Sequence, residues 1–203
     1  MCKKMKLSLT LTAILIMTLP TLAQKSTSYE LSGTLNPDPQ RTNRSVIDVS
    51  ITIADGGSGP YKSVMTGDTS LATHTIFRPA DLSVFGGSKR LPVIAYGNGA
   101  CKNTPEQVME MLSEIASHGF LILAIGPVRN AVFGLPAGSV STDAKLLLDA
   151  VDWAFAQNNK QESLYFGLLD TEKIGVMGQS CGGLQALTVS VDPRIKTTVC
   201  LNS

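Results

Sequence analysis

The sequence predicts an α/β fold: a mostly parallel central sheet with helices on both faces. Three observations carry this expectation. From Leu91 onward short apolar runs alternate with stretches of helical periodicity, the connections between them are short, and the runs lead into glycine-containing turns. Strand, helix and strand repeated in this way form parallel pairs whose crossovers cover the sheet.

The elements follow in order. Lys25 to Arg44 is polar, with Asn36, Pro37 and Pro39, and holds at most a short strand near Tyr29–Leu31. Val46, Ile47, Val49, Ile51 and Ile53 nearly alternate, as in a strand with one buried face. The cluster Asp55-Gly56-Gly57-Ser58-Gly59-Pro60 ends it. Thr73 to Arg78 reads as another short strand before Pro79, and these early strands suit an antiparallel start to the sheet. Pro92 to Tyr96 is the first buried strand, entering the turn Gly97-Asn98-Gly99. Thr104-Pro105-Glu106-Gln107 then offers an N-cap hydroxyl, a proline at the first helical position and a glutamine placed to bond back. Val108, Met111, Leu112 and Ile115 follow at helical spacing, and Gly119 stands where a C-terminal cap belongs. Phe120 to Ile125 is the next strand. A second helix is expected at about Thr142 to Gln157, with Leu146, Leu147, Ala150, Val151 and Ala154 on one face. Ile174 to Met177 is a third buried strand, Cys181 to Ser190 a third helix, and Thr197 to Leu201 a fourth strand. Right-handed crossovers bring the strand C-termini to one rim, where sites in such sheets lie.

Three spans divide the chain. Residues 1–23 read as a signal peptide: Lys3, Lys4 and Lys6 precede an apolar stretch from Leu7 to Leu19, and small residues allow cleavage between Ala23 and Gln24. That stretch is shorter than the roughly 20 residues needed to span a bilayer. The mature protein is expected to be secreted or periplasmic, in a compartment that permits disulfides. Residues 24–58 form a lead-in with the first strands, and 59–203 form the main domain. A formal net charge of +1 gives no reason to expect nucleic acid or a membrane surface as partner once the signal is removed. Past the signal stand Cys101, Cys181 and Cys200, an odd number whose pairing the sequence leaves open. Without a Cys-x-x-Cys, and with two histidines, a structural zinc site is not expected.

Gly178-Gln179-Ser180-Cys181-Gly182 is a Gly-x-Ser-x-Gly sequence placed between a buried strand and a helix. That context is the one a nucleophile elbow requires. Gly178 and Gly182 leave room for neighbouring backbones, the strained turn lifts the Ser180 hydroxyl to the rim, and the helix N-terminus favours negative charge beside it. The plainer alternatives are a packed glycine turn or a phosphate site. Cys181 is a poorer nucleophile candidate, because the register would put Gln179 where the first glycine is needed. Its backbone N–H is instead a candidate oxyanion donor. The second donor is expected on the loop after the first buried strand, at Asn98, with Gly99 next. Gln179 is a candidate to line the substrate pocket.

Gly59-Pro60-Tyr61, His74 to Pro79, Tyr96 to Gly99, Ala116 to Phe120 and Ile174 to Gly183 together resemble the secreted bacterial cutinase, polyester-hydrolase and lipase family, and the related dienelactone-hydrolase type. The resemblance implies the α/β-hydrolase fold, a Ser-Asp-His triad, no cofactor, and hydrolysis of small or polymeric carboxylic esters. Its oxyanion donors fall on Asn98 and Cys181. Cutinase-like members commonly carry an aromatic residue at the position of Asn98, and an aromatic residue or histidine at that of Gln179; here both are polar.

In this fold the triad runs serine, acid, histidine along the chain. After Ser180 there is no histidine, and the sole carboxylate, Asp192, sits in a Val-Asp-Pro-Arg turn. His118 closes the first helix at the opposite rim, and His74 lies in or beside an early strand, so chain order and rim geometry speak against either as base. The expectation is an incomplete domain whose acid, histidine, last strands and last helices lie beyond residue 203. The 203 residues alone would then be inactive, with an apolar edge uncovered. Two other readings remain open: an acyltransferase using the same elbow, and a non-catalytic binding module of hydrolase-like fold.

Overall fold

The computed structural model describes residues 30–32, 50–52, 56–128 and 140–203. The expected signal peptide, most of the expected lead-in and residues 129–139 lie outside them. Eight strands form one sheet in the order β1-β2-β3-β4-β6-β5-β7-β8. They are β1 (Glu30–Ser32), β2 (Ser50–Thr52), β3 (Ser63–Thr66), β4 (His74–Pro79), β5 (Leu91–Gly97), β6 (Leu121–Ile125), β7 (Leu169–Gln179) and β8 (Ile195–Leu201). The pairings from β1 through β4 to β6 are antiparallel, and β6, β5, β7 and β8 pair in parallel. All strands except β2 and β4 therefore run in one direction, which is the mostly parallel sheet with an antiparallel start expected from the sequence.

Helices α1 (Met109–Ser117), α2 (Lys145–Asn159) and α3 (Cys181–Val189) cover the sheet. Residues alternate across the strands between two cores. Phe77, Tyr96, Ile122, Ala124 and Met177 pack with Met109, Leu112 and Ala116 of α1. Ile76, Val93, Ala95, Leu123, Ile174 and Val176 pack with Leu147, Ala150, Val151 and Ala154 of α2 and Ala186 of α3. Every residue of β6 is buried, because both faces of this inner strand are covered. At the other side of the sheet β8 is the edge, and Leu184, Leu187, Val191 and Val199 are exposed beside it.

Several boundaries differ from expectation for physical reasons. The helix expected from Thr104 onward starts later. Pro105 instead precedes a 3-10 turn at Glu106–Val108, a kink at Val108 (φ −125°, ψ 8°) follows, and the α-helix starts at Met109. Gly119 does close it, at φ +90° with its N–H on Ala116 O at 2.9 Å. Helix α2 begins at Lys145 rather than Thr142, because the Thr142 N–H and hydroxyl both bond Cys101 O, at 2.8 and 2.9 Å. β7 reaches back to Leu169 through a register shift at Pro92/Val93, where proline cannot donate to the ladder. β3 was not foreseen: four residues between two turns carry too little alternation to read. No helix among the described residues is long and apolar enough to cross a membrane.

Candidate active site

β5 and β7 are parallel neighbours with Gly97 opposite Gly178. This register sets the residues just past each strand, Asn98 on one and Ser180 on the other, side by side at the C-terminal rim. Ser180 has φ 51° and ψ −120°, a conformation that costs an L-residue about 1–3 kcal/mol and persists only where packing enforces it. The packing comes from glycines. A β-carbon on Gly178 would fall on Gly182 O, and one on Gly182 on Gly97 O, so three backbones meet with no room for side chains. Ser180 is further held by its N–H on Leu201 O (2.8 Å) and by its carbonyl, which accepts from Gly183 N (2.9 Å) and Ser203 Oγ (3.0 Å). The result is a half-buried serine on a sharp bend between β7 and α3.

Cys181 is the first residue of α3, so its N–H has no acceptor within the helix and lies at the positive end of the helix dipole. On the facing loop, Asn98 precedes a 3-10 turn at Gly99–Cys101. The Asn98 side chain is only 4% exposed and turns inward, donating from Nδ2 to Ile125 O (2.6 Å) and Lys102 O (2.9 Å). It anchors the loop from within. The Gln179 amide lies over Gly99, where a β-carbon would collide with its Oε1. Asn98, Gly99, Lys102, Thr104, Gln107, Val108 and Gln179 line a small cavity of about 120 Å³. The residues singled out in the sequence, Asn98, Gly99, Gly178, Gln179, Ser180, Cys181 and Gly182, are thus brought together at one place. A larger cavity of about 780 Å³ opens beside His74, Asn103, Thr142 and Leu146, lined by none of these residues.

The pairing that the sequence left open is Cys101–Cys181, with Cα atoms 5.2 Å apart across 80 residues of chain, and Cys200 is free and exposed. Cys101, Thr142 and Gln185 are the residues that sequence reasoning missed at the site. Gln185 Nε2 bonds Thr142 O at 2.7 Å, and Thr142 in turn holds Cys101. In the sequence Cys101 and Cys181 both stand a few residues past the C-terminal ends of expected strands, which was the available signal for their pairing.

Neither histidine serves Ser180. His118 is at the far end of α1, with Nε2 on Glu114 Oε1 at 3.0 Å. Glu114 also accepts from the hydroxyl and N–H of Ser58, and these bonds, with His118, hold its pKa at about 2. Serine, glutamate and histidine meet there, but the carboxylate lies between the other two, so the imidazole does not touch the hydroxyl. His74 does lie on the rim of Ser180, since β4 is reversed and His74 pairs with Ile125 at the end of β6. Lateral separation excludes it: β4 is three strands from β7, about 14 Å at usual strand spacing. Its ring is also buried and occupied, with Nε2 donating to Leu146 O (3.1 Å) and Nδ1 accepting from Thr73 Oγ1 (3.0 Å). Burial lowers its pKa to about 4. Asp192 is a turn residue, accepting from the Arg194 guanidinium and N–H, which hold its pKa at about 2.

A comparison with curated proteins finds no match. A family model described as PET hydrolase-like matches residues 53–203, most of the chain and all of the parallel sheet. By that match and by its sheet and elbow, the chain belongs to the PET hydrolase-like family, a family of α/β-hydrolases that act on esters.

Proposed function

We propose that the protein is an exported serine hydrolase of carboxylic esters, with Ser180 as nucleophile. The observation that carries this reading is the Ser180 backbone, at φ 51° and ψ −120°, between the end of β7 and the first residue of α3. Such a bend aims a hydroxyl outward, beside N–H groups free to receive negative charge. Ser180 Oγ attacks the acyl carbon while a histidine takes its proton. The N–H groups of Cys181 and of Asn98 or Gly99 hold the oxyanion, and collapse of the tetrahedral intermediate expels the alcohol, which takes the proton from the histidine. Water activated by the same histidine then hydrolyses the acyl-enzyme.

Since neither His74 nor His118 reaches Ser180, the reading assigns the base, and the acid that orients it, to the chain beyond Ser203. The 203 residues alone are expected to be inactive. Gln179 contributes an amide to the wall of the substrate pocket. Lys3, Lys4, Lys6 and the apolar run after them support export with cleavage before Gln24.

The test is covalent labelling. In the full-length protein a fluorophosphonate should modify Ser180 and stop hydrolysis of p-nitrophenyl butyrate, and Ser180→Ala should abolish both. Labelling that persists in Ser180→Ala would refute the assignment.

A further inference from the structure

Resting on the reading of Ser180 as nucleophile, we propose that the Cys101–Cys181 disulfide is a positioning element of the oxyanion hole, holding the N–H groups of the Asn98–Gly99 loop in register with that of Cys181. Two independent features lead to this. The bond joins the residue directly after Ser180 to the loop that faces it, and so ties together the two segments from which the donors come. That loop also holds two consecutive non-glycine residues in the left-handed region, Ala100 (φ 52°, ψ 21°) and Cys101 (φ 50°). Neither L-residue adopts this conformation without outside support.

The support is visible from each side. Asn98 Nδ2 holds the loop from below through Ile125 O and Lys102 O. The Thr142 N–H and hydroxyl hold the carbonyl of Cys101. These bonds anchor the loop to β6 and to the chain leading into α2. The sulfur bridge is the direct covalent tie from Cys101 to the elbow. Thr142, itself held by Gln185 of α3, links them only indirectly, and Gly182 packs on the loop at Asn98, ahead of Ala100 and Cys101. Gln179 lies over Gly99 without bonding it within the described contacts, so it covers the loop rather than fixing it. With the bridge opened, Ala100 and Cys101 are free to relax toward ordinary backbone angles. The loop N–H groups then leave the position where the oxyanion forms. Ground-state binding draws on the rest of the pocket, so turnover suffers and affinity does not.

The experiment uses the full-length protein carrying Cys200→Ala, which removes the exposed thiol that could exchange into the bridge and is expected to leave activity unchanged. In that background Cys101→Ala/Cys181→Ala retains both backbone N–H groups. Its kcat on p-nitrophenyl butyrate should fall about 10- to 100-fold, less than the loss typical of deleting a donor outright, with KM within about twofold. Affinity for an alkyl boronic acid, which forms a tetrahedral oxyanion mimic on Ser180, should weaken by the same factor as kcat/KM. A kcat within twofold of the parent, or a loss carried by KM alone with boronate affinity unchanged, would overturn the proposal.

A second measurement covers the case in which the double variant does not fold. Dithiothreitol reduces the bridge by two electrons, giving the two thiols of Cys101 and Cys181 and the cyclic disulfide of the reagent. Activity should fall by the same roughly 10- to 100-fold in step with two new thiols while the near-UV circular dichroism is still native, and return on reoxidation. Activity within twofold of the parent in reduced molecules, or a loss that comes only together with the near-UV signal, would assign the bond to global stability and overturn the proposal. Fluorophosphonate labelling of Ser180 distinguishes the two levels. If the disulfide inference fails, Ser180-dependent labelling remains; if the nucleophile assignment fails, labelling is independent of Ser180 in the parent itself.

Discussion

The backbone of Gly182 lies directly against that of Gly97: a β-carbon on Gly182 would fall on the Gly97 carbonyl oxygen and lie 2.7 Å from that of Asn98. One close approach thus couples the start of α3, the end of β5 and the loop beyond it. The bend at Ser180 exists because these segments can meet without side chains.

Gly182→Ala should therefore destabilise the fold by about 1–3 kcal/mol through overpacking against backbone, despite alanine's better helix propensity. It should also cost most of the esterase activity. Gly175→Ala is the contrast, since its β-carbon would meet nothing closer than Thr197 O at 3.7 Å. That variant should be neutral or slightly stabilised. Urea unfolding of the two proteins beside the parent decides the matter.

Asn98 acts on the site through its buried amide. Asn98→Asp places a carboxylate against the carbonyls of Ile125 and Lys102, which now accept from Nδ2. The expected result is a loss of about 1–3 kcal/mol of stability, as for a buried polar group left without its partner. A fall in kcat of roughly tenfold should accompany it as the loop shifts away from Cys181. An unchanged kcat in the folded variant would mean that this loop does not contribute a donor.

Ser117 offers a stability effect with no catalytic one. Its hydroxyl is buried at the opposite rim, accepts from Gly59 N (2.9 Å) and donates to Glu114 O (2.6 Å). Ser117→Ala leaves the Gly59 N–H without that acceptor and should cost about 1–3 kcal/mol. The kcat of the folded fraction should equal that of the parent. Chemical denaturation and active-site titration on the same samples separate the two quantities.

His74 should impose a pH dependence on stability. Burial holds its pKa at about 4 in the folded protein, against 6.5 for a free ring. As pH falls, the unfolded chain takes up the proton first, so folding binds fewer protons throughout that interval. The full stability is present above about pH 6.5 and declines as the pH drops toward 4, by at most about 3 kcal/mol. Glu114 and Asp192, both held at about 2, contribute their own losses at lower pH. Unfolding free energies measured from pH 7.5 to 4.5 should show the slope in the parent and a shallower one in His74→Gln.

Much of the fold was legible because its signals are local. The run Leu121 to Ile125 is buried along its whole length, as a continuous apolar strand between two helical layers must be. Gly178 and Gly182 could be placed at close approaches because an elbow between a strand and a helix has no alternative there. The errors fell where a residue was claimed by a distant partner. Thr142 was read as a helix start, but it bonds Cys101 O and leaves α2 to begin at Lys145. The helix expected after Thr104 also starts later, at Met109, because the chain first makes a 3-10 turn and a kink.

By itself the sequence determined the order of strands and helices from β4 onward and the candidacy of Ser180, since periodicity, turn residues and the Gly-x-Ser-x-Gly spacing all act over a few neighbours. Only the tertiary structure decided that Cys101 pairs with Cys181, that Asn98 turns inward, and that His74 shares the rim of Ser180 yet lies three strands away. The reason is physical: each of these depends on which strands lie side by side, and sheet order is set by the packing of two cores rather than by any stretch of neighbouring residues.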